Sequence, residues 1–196
     1  LPSAISNSGN FTLECWANVT DLTTNYCISS GAYPASNCQL MIYSTSEVYF
    51  YMNGFDLTTG GANIQPNTWV HIAAVRSGTT ITIYINGVAK GSGTSSSTYD
   101  VYCLGAFFFN NNASSYQEFK GYISNLRLTN TTVYSANFTP PTSNLTAISG
   151  TQLLTFQNGS YKDNSANNYT VSPYGGVAIQ RCTFSPFTAY PVNTAY

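Results

Sequence analysis

Aromatic and amide side chains occur together in one short stretch of the sequence. Phe107 to Phe109 are followed directly by Asn110 to Asn112, and Tyr116 comes soon after. β-Sandwich proteins that bind sugars combine aromatic rings with amide or carboxylate groups that bind hydroxyls. The residues expected to form a ligand-binding loop are therefore Tyr99, Asp100, Phe109, Asn110, Asn111, Asn112 and Tyr116.

Two other interpretations of these aromatic residues stay open. In the first, two of the phenylalanines belong to the core and the asparagine run is only a turn. In the second, the binding surface lies on an earlier hairpin, where Tyr49, Tyr51 and Asn53 bring similar side chains together.

Glycoside hydrolysis requires two carboxyl groups on either side of the scissile bond. The seven acidic residues are spread along the chain, and none lies within four residues of another. The only histidine, His71, lies between Val70 and Ile72 in a strand-like run, where a structural hydrogen bond is the expected role. The sequence therefore predicts that the chain is not an enzyme.

Calcium would need several oxygen ligands, usually including carboxylates. Asp56, Asp100 and Asp163 fall in predicted loops, and Asn110 to Asn112 could add amide oxygens. Solvated turns explain the same positions, so no cofactor is predicted and Ca²⁺ remains only an alternative.

Five cysteines form neither a C-x-x-C pair nor a Cys/His metal pattern. Cys27 and Cys38 flank a short loop and could close a disulfide. The other three could be buried as small apolar residues.

Charged residues make up only 7% of the chain, and the net charge is −1. Ordinary domains carry roughly 25% charged residues. Because there is no basic patch, nucleic-acid binding is not expected. No window approaches the roughly 20 apolar residues of a membrane-spanning helix, so membrane insertion is not expected either. Weak mutual repulsion favours packing into a homo-oligomer or a larger assembly.

Short strands separated by turns are predicted along most of the chain. Phe11 to Val19 alternates, with Trp16 on the face opposite Phe11 and Leu13. Other predicted strands cover residues 39–43, 47–52, 68–76, 79–85, 101–109, 118–128, 153–157 and 179–184. Asn53-Gly54 and Asn86-Gly87 have the composition of two-residue hairpin turns.

This pattern predicts an all-β fold, a two-sheet antiparallel β-sandwich in a jelly-roll arrangement. Pro140-Pro141 cannot continue a central strand and marks a boundary. We expect residues 1–141 to form the sandwich and residues 142–196 to form a short C-terminal β extension with a docking tail. Since the first residue is Leu1, the chain is expected to be a mature product or part of a longer protein.

Several motifs resemble one family. Trp69-x-His71 followed by Tyr84-Ile-Asn-Gly87 is similar to the laminin-G-type concanavalin A-like jelly roll. Residues 119–128, 133–141, 149–154, 163–169 and 181–187 resemble the closing part of such domains in phage and marine-virus structural proteins. This fold carries lectins, adhesins and glycosidases, so function depends on the site.

The resemblance implies a non-catalytic module on the virion surface, in a phage appendage, a fibre or a capsid decoration. Its partners would be other virion subunits and a cell-surface glycan of the host. A purely structural assembly subunit and a secreted cellular lectin or adhesin are the alternatives.

Overall fold

The computed structural model describes residues 1–61, 64–109, 112–113, 117–157, 160–173 and 185–187. Every regular element in these residues is a β-strand, and the strands are numbered in chain order. None of the described residues forms a helix that could cross a membrane.

The larger sheet has six antiparallel strands. Their spatial order is β10 (Val88–Thr94), β9 (Thr80–Ile85), β8 (Val70–Ser77), β2 (Phe11–Val19), β15 (Gly121–Thr129) and β16 (Thr151–Thr155).

The second sheet has five strands and faces the first across the core. Its spatial order is β12 (Cys103–Leu104), β3 (Tyr26–Ser30), β5 (Cys38–Ile42), β6 (Val48–Met52) and β7 (Phe55–Thr58). Two small sheets complete the described part: β1 (Ile5–Asn7) with β11 (Tyr99–Val101), and β14 (Asn112–Ala113) with β13 (Phe108–Phe109) and β4 (Ala32–Tyr33). The predicted all-β sandwich is confirmed.

Side chains alternate between the two faces of each strand, and those on the inner faces form the core between the two sheets. On β2, Phe11, Leu13 and Cys15 point inward and are fully or almost fully buried, whereas Trp16 is half-buried on the other face. On β6, Phe50 faces the same core and stacks on Tyr99, with ring centroids 4.7 Å apart.

The segment between β15 and β16 covers the outer face of the six-stranded sheet. Tyr134 and Phe138 stack with ring centroids 3.5 Å apart and pack on Ala73, Val75 and Tyr84. This covering segment, residues 130–150, contains no strand, and the Pro140-Pro141 motif lies in its middle rather than at the end of a strand. Phe187 packs on the same face, edge-on to Trp16.

The C-terminal extension contributes a strand to the sandwich. β16 pairs with β15 as the edge of the six-stranded sheet, and Leu153 enters the main core. Asp163 is 1% exposed, and its carboxylate accepts hydrogen bonds from the backbone N–H groups of Leu154, Ser165 and Tyr169. The predicted strand 179–184 and the tail after Phe187 lie outside the described residues.

One predicted strand is wrong. Residues 101–109 do not form a continuous strand but contain the last residue of β11 and the whole of the short strands β12 and β13. Gly105 has φ +76° at the break, a conformation incompatible with an extended ladder.

Candidate functional site

The outer face of the five-stranded sheet carries a group of aromatic side chains. Since Val48, Phe50 and Met52 point into the core, Tyr49 and Tyr51 between them must point outward. Both are half-buried. The set that we call the aromatic face consists of Tyr33, Tyr43, Tyr49, Tyr51, Phe107 and Phe109.

Three of these rings form a row. Tyr43 and Tyr49 stack with centroids 4.7 Å apart at 18°, and Tyr49 and Tyr51 with centroids 6.2 Å apart at 20°. These separations are typical of offset stacking, in which each ring covers only part of its neighbour. Because all three side chains are half-buried, part of the ring surface remains available to a ligand.

A second group of rings lies on the small three-stranded sheet. Tyr33 and Phe109 stack almost in parallel, with centroids 5.0 Å apart at 6°. The parallel pairing of β13 with β4 sets Phe109 directly beside Tyr33. Phe109 is 43% exposed, one of the few large apolar side chains on the described surface.

The two groups are joined into one surface. Cys27, Met41 and Phe107 form a buried cluster, and Tyr33, Tyr43 and Tyr49 pack against it. The phenylalanine stretch and the tyrosine hairpin, which the sequence offered as alternatives, thus belong to the same face.

Polar side chains lie among the rings in register. Gln39 and Asp56 are the cross-strand neighbours of Tyr51, and Thr58 is the neighbour of Tyr49. Asp56 and Thr58 are exposed. Apolar ring surface beside carboxylate, amide and hydroxyl groups is the combination that sugar recognition uses.

The hydroxyls of Tyr43 and Tyr49 remain protonated. Burial raises the pKa of Tyr43 and of Tyr49, and the charge of the Asp56 carboxylate raises both further. At neutral and mildly alkaline pH these hydroxyls can therefore still donate hydrogen bonds.

Only some of the predicted binding residues lie on this face. Phe109 does, and Asn112 pairs with it on β14. Asn110, Asn111 and Tyr116 lie outside the described residues.

The prediction for Tyr99 is wrong. Its side chain is 0% exposed in the main core, and its hydroxyl lies 2.9 Å from Ser29 Oγ. Asp100 belongs to the β1–β11 pair, where its N–H donates to Cys38 Sγ at 3.3 Å. Alternation along β11 places Tyr99 and Val101 inward.

Asn53, from the hairpin alternative, has a structural role. It is a turn residue with φ 44°, its Nδ2 donates to Thr98 O at 3.0 Å, and its Oδ1 accepts from Asn37 N at 3.0 Å. These bonds fix the β6–β7 hairpin.

The proposed disulfide is not formed, since Cys27 and Cys38 are both free thiols. Cys27 is opposite Met41 across the β3–β5 ladder, three residues from Cys38. The two thiols also face different sides: Cys38 belongs to the main core and Cys27 to the cluster beneath the aromatic face. The register of the β3–β5 ladder thus keeps Cys27 and Cys38 apart, although their spacing in the sequence allows a disulfide.

His71 makes the structural contact predicted for it. Its Nε2 lies 3.2 Å from Glu14 Oε2, and both side chains are fully buried. Arg127 donates twice to Glu14 Oε1, at 2.9 and 2.6 Å, and the Tyr134 hydroxyl donates to Oε2 at 2.8 Å. This polar cluster lies beneath the covering segment and does not face solvent.

Burial would raise the pKa of Glu14, but other effects outweigh it. The hydrogen bond with His71 and the positive charge of Arg127 hold the pKa of this carboxyl below its ordinary value. Glu14 is therefore a buried carboxylate anchored by its partners.

The described residues contain no group of three or more His, Cys, Asp or Glu side chains suited to a metal ion. The carboxylate of Asp163, one of the residues considered for Ca²⁺, accepts hydrogen bonds from Leu154 on β16 and from Tyr169 in its own loop. Asp56 lies on the aromatic face, and Asp100 lies on β11.

Comparisons with known proteins agree with this architecture. Residues 1–137 match the family Laminin_G_3, described as the concanavalin A-like lectin/glucanases superfamily. No curated protein sequence matches the chain.

Solved structures share the fold at low sequence identity. A candidate carbohydrate-binding protein from Bacteroides ovatus is 18% identical, with a TM-score of 0.57, over 82% of this chain and 52% of that protein. The CBM40 of a Ruminococcus gnavus IT-sialidase, bound to α2,3 sialyllactose, is 11% identical, with a TM-score of 0.54, over 65% of this chain and 78% of that one. A Trypanosoma rangeli sialidase is 14% identical, with a TM-score of 0.50, over 65% of this chain and 22% of that enzyme.

The chain therefore spans about half the length of the Bacteroides protein, 52%. The family match covers most of the sandwich, from β1 into the covering segment, and includes the motifs around Trp69 and Asn86-Gly87. The chain belongs to the concanavalin A-like lectin/glucanase superfamily, in its laminin-G-type branch.

Proposed function

We propose that the chain is a non-catalytic module that binds glycans through the aromatic face. The observation that carries the proposal is the row Tyr43–Tyr49–Tyr51, which presents offset rings and hydroxyls beside Gln39 and Asp56. Such a surface stacks on the apolar side of a sugar and binds its hydroxyls. The fold shared with a sugar-binding CBM40 supports the proposal.

The positions of the acids support a binding role rather than hydrolysis. A glycosidase needs two carboxyl groups roughly 5–10 Å apart around one bond. Glu14 is fully buried among its partners, and Asp163 is 1% exposed within its loop. On the strands of the five-stranded sheet, Asp56 is the only acid.

A glycan array tests the proposal. The wild-type chain is expected to bind a defined sugar class, and Tyr49→Ala/Tyr51→Ala is expected to lose that signal. Tyr122→Ala, which removes a half-buried tyrosine from the other sheet, serves as the matched control. An array with no signal for the folded wild-type chain would refute glycan binding.

The same array, run with calcium and with a chelator, tests the alternative of a metal-dependent site. We expect binding to survive chelation, because the aromatic face needs no ion to present its rings and hydroxyls. Loss of binding on chelation would instead indicate Ca²⁺ in the site.

We further propose that the module lies on the outside of a virus particle, most simply a phage. The resemblance of the Val133–Pro141 motif to virion proteins and the 7% charged composition support this location. An antibody against the chain should label intact particles. Labelling of cell surfaces alone would instead favour a secreted lectin or adhesin, an alternative weakened by the free thiols of Cys27 and Cys38.

A structural assembly subunit is the second candidate, because an exposed aromatic face can also pack against another subunit. Phe109, 43% exposed, is the observation that favours it. Sedimentation distinguishes a glycan-binding module from an assembly subunit. An assembly interface would be identified if the wild type forms oligomers that dissociate in Tyr49→Ala/Tyr51→Ala and the glycan array gives no signal.

A further inference from the structure

Positive charge is absent from the strands that build the aromatic face. Neither the five-stranded sheet nor the small sheet of β4, β13 and β14 contains a lysine or arginine. Proteins that recognise carboxylate or phosphate groups normally use arginine or lysine for that purpose. This face has no such group on its strands.

The arginines and lysines of the described residues lie on other parts of the molecule. Arg76 is 1% exposed and donates to Ser97 O at 2.6 Å and Asn7 O at 3.2 Å. Arg127 is held by Glu14. The three lysines lie on β10, just before β15 and in the loop after β16, at Lys90, Lys120 and Lys162.

Negative charge, in contrast, lies directly on the face. Asp56 is exposed opposite Tyr51. After burial, its charge is among the causes that raise the pKa of Tyr43 and Tyr49, and Glu47 in the β5–β6 turn adds to the effect at Tyr43. An anionic sugar stacked on this row would meet carboxylates at short range, and the described strands of the face carry no cation to offset them.

The length of the tyrosine row indicates how many sugar units it can contact. A sugar ring is similar in size to a phenol ring, and the stacked centroids extend through steps of 4.7 and 6.2 Å. Three rings along the sheet therefore offer stacking surface to more than one sugar unit. A chain that lies along the sheet uses this surface more fully than a single terminal sugar.

We infer that the ligand of the aromatic face is a neutral oligosaccharide or polysaccharide chain, and that Asp56 excludes sialylated and uronate-containing glycans. This inference rests on the proposed glycan-binding function and specifies its ligand class. It assigns to Asp56 a role in specificity, because the rings alone would not distinguish a neutral sugar from an acidic one.

Matched ligands test the charge preference. Isothermal titration at low salt would compare lactose with α2,3-sialyllactose, and affinity electrophoresis would compare neutral glucan, mannan, galactan and xylan with polygalacturonate and alginate. We expect at least one neutral polysaccharide to bind about tenfold or more tightly than either polyuronate, as expected from like-charge repulsion at short range. Neutral oligomers of increasing length should also bind more tightly than their monosaccharide.

Asp56 variants separate charge from stacking. In Asp56→Asn and Asp56→Lys, the ratio of neutral to anionic affinity should fall stepwise, and raising the salt concentration should lower the wild-type ratio. Melting curves check that both variants remain folded.

The outcomes distinguish the two levels of the proposal. Equal or tighter binding of anionic glycans, or a ratio unchanged in Asp56→Lys, would overturn the inference and leave the glycan-binding function standing. No binding of any glycan would overturn both. Neutral binding that is lost in Tyr49→Ala/Tyr51→Ala and a ratio that depends on Asp56 would support both.

Discussion

Glu14 shows how a single buried charge is stabilised in this molecule. Its carboxylate lies between β8 and β15, with Arg127 at 2.6 Å and Tyr134 at 2.8 Å. Burying a carboxylate is costly unless its lone pairs are occupied, and removing one partner leaves the others uncompensated. The residue thus links the sheet to the segment that covers it.

Removing this charge should destabilise the fold strongly. In Glu14→Gln, Arg127 would stay buried without its counter-ion, at a cost of about 3–5 kcal/mol of unfolding free energy. Tyr134→Phe removes only one hydrogen bond to a charged group, at a cost of about 1.5–3 kcal/mol. Urea unfolding measures both, and a Glu14→Gln loss below that of Tyr134→Phe would contradict this ranking.

Sequence alone could predict the role of His71 but not its partners. A lone histidine in an apolar strand run is expected to have a structural hydrogen bond. Glu14 and Arg127 lie 57 residues before and 56 after it, and only the pairing of β2 with both β8 and β15 brings them together. Such contacts depend on strand order, which the sequence pattern does not specify.

The two Asn-Gly hairpins show how one element can serve two purposes. Both turns have positive φ at both residues, as predicted, with 44° and 95° at Asn53-Gly54 and 49° and 77° at Asn86-Gly87. At Gly54 an added Cβ would meet nothing within 4 Å, whereas at Gly87 it would lie 1.8 Å from Phe138 O. The Asn86-Gly87 turn therefore also packs directly against the covering segment.

Alanine substitutions at Gly54 and Gly87 should separate the cost of turn strain from the cost of the contact with Phe138. Gly54→Ala should cost about 1–2 kcal/mol, the penalty of a left-handed conformation. Gly87→Ala should cost about 1–3 kcal/mol more, because the covering segment must move. Thermal unfolding of the matched pair measures the difference, and equal losses would mean that the segment adapts freely.

At the scale of elements, the sequence predicts strands with clear alternation better than their ends. Residues 11–19 and 79–85 alternate strictly and match β2 and β9 within one residue. Residues 101–109 mix polar and aromatic positions without a single period, so their division at Gly105 could not be foreseen. Pairing of β16 with β15 also depends on which sheet edge is free, a property of the whole fold.

Across the whole molecule, few charges control the dependence of stability on pH. The pKa of Glu14 is lowered from its ordinary 4.5, so its contribution is fully present above that value and declines as the pH falls through the folded-state pKa. Burial raises the pKa of Tyr99 well above 10, and burial with the Glu14 charge raises that of Tyr134. Their contribution is present below pH 10 and declines above it.

Burial also raises the pKa of the Cys15, Cys27, Cys38 and Cys103 thiols above their ordinary 9.0. Stability should therefore be highest between about pH 5 and about pH 8 and fall on both sides. Urea midpoints across this range test the shape of the curve. In Glu14→Gln the acid decline should become shallower, since that variant has no carboxyl at this position. If stability falls as steeply at acidic pH in Glu14→Gln as in the wild type, the acid decline is caused by other groups.

The two sheets differ in what lies on their outer faces. The covering segment packs on the six-stranded sheet, whereas the four tyrosines of the aromatic face are half-buried and Phe109 is exposed. The sequence predicted both aromatic stretches of this face, but as competing sites, because residues 49–51 and 107–109 meet only through the Met41–Cys27 cluster. It also assigned Tyr99 to the surface, since its inward orientation depends on pairing with β1.

The central claim is that the tyrosine row binds glycan, and titration of the best array ligand into matched variants tests it most directly. Loss of a buried aromatic anchor typically costs about 2 kcal/mol or more of binding free energy. Tyr49→Ala/Tyr51→Ala should therefore weaken binding by about 100-fold or more, whereas Tyr122→Ala should stay within about threefold of the wild type. Wild-type affinity in the folded double variant would contradict the account and assign recognition to another surface.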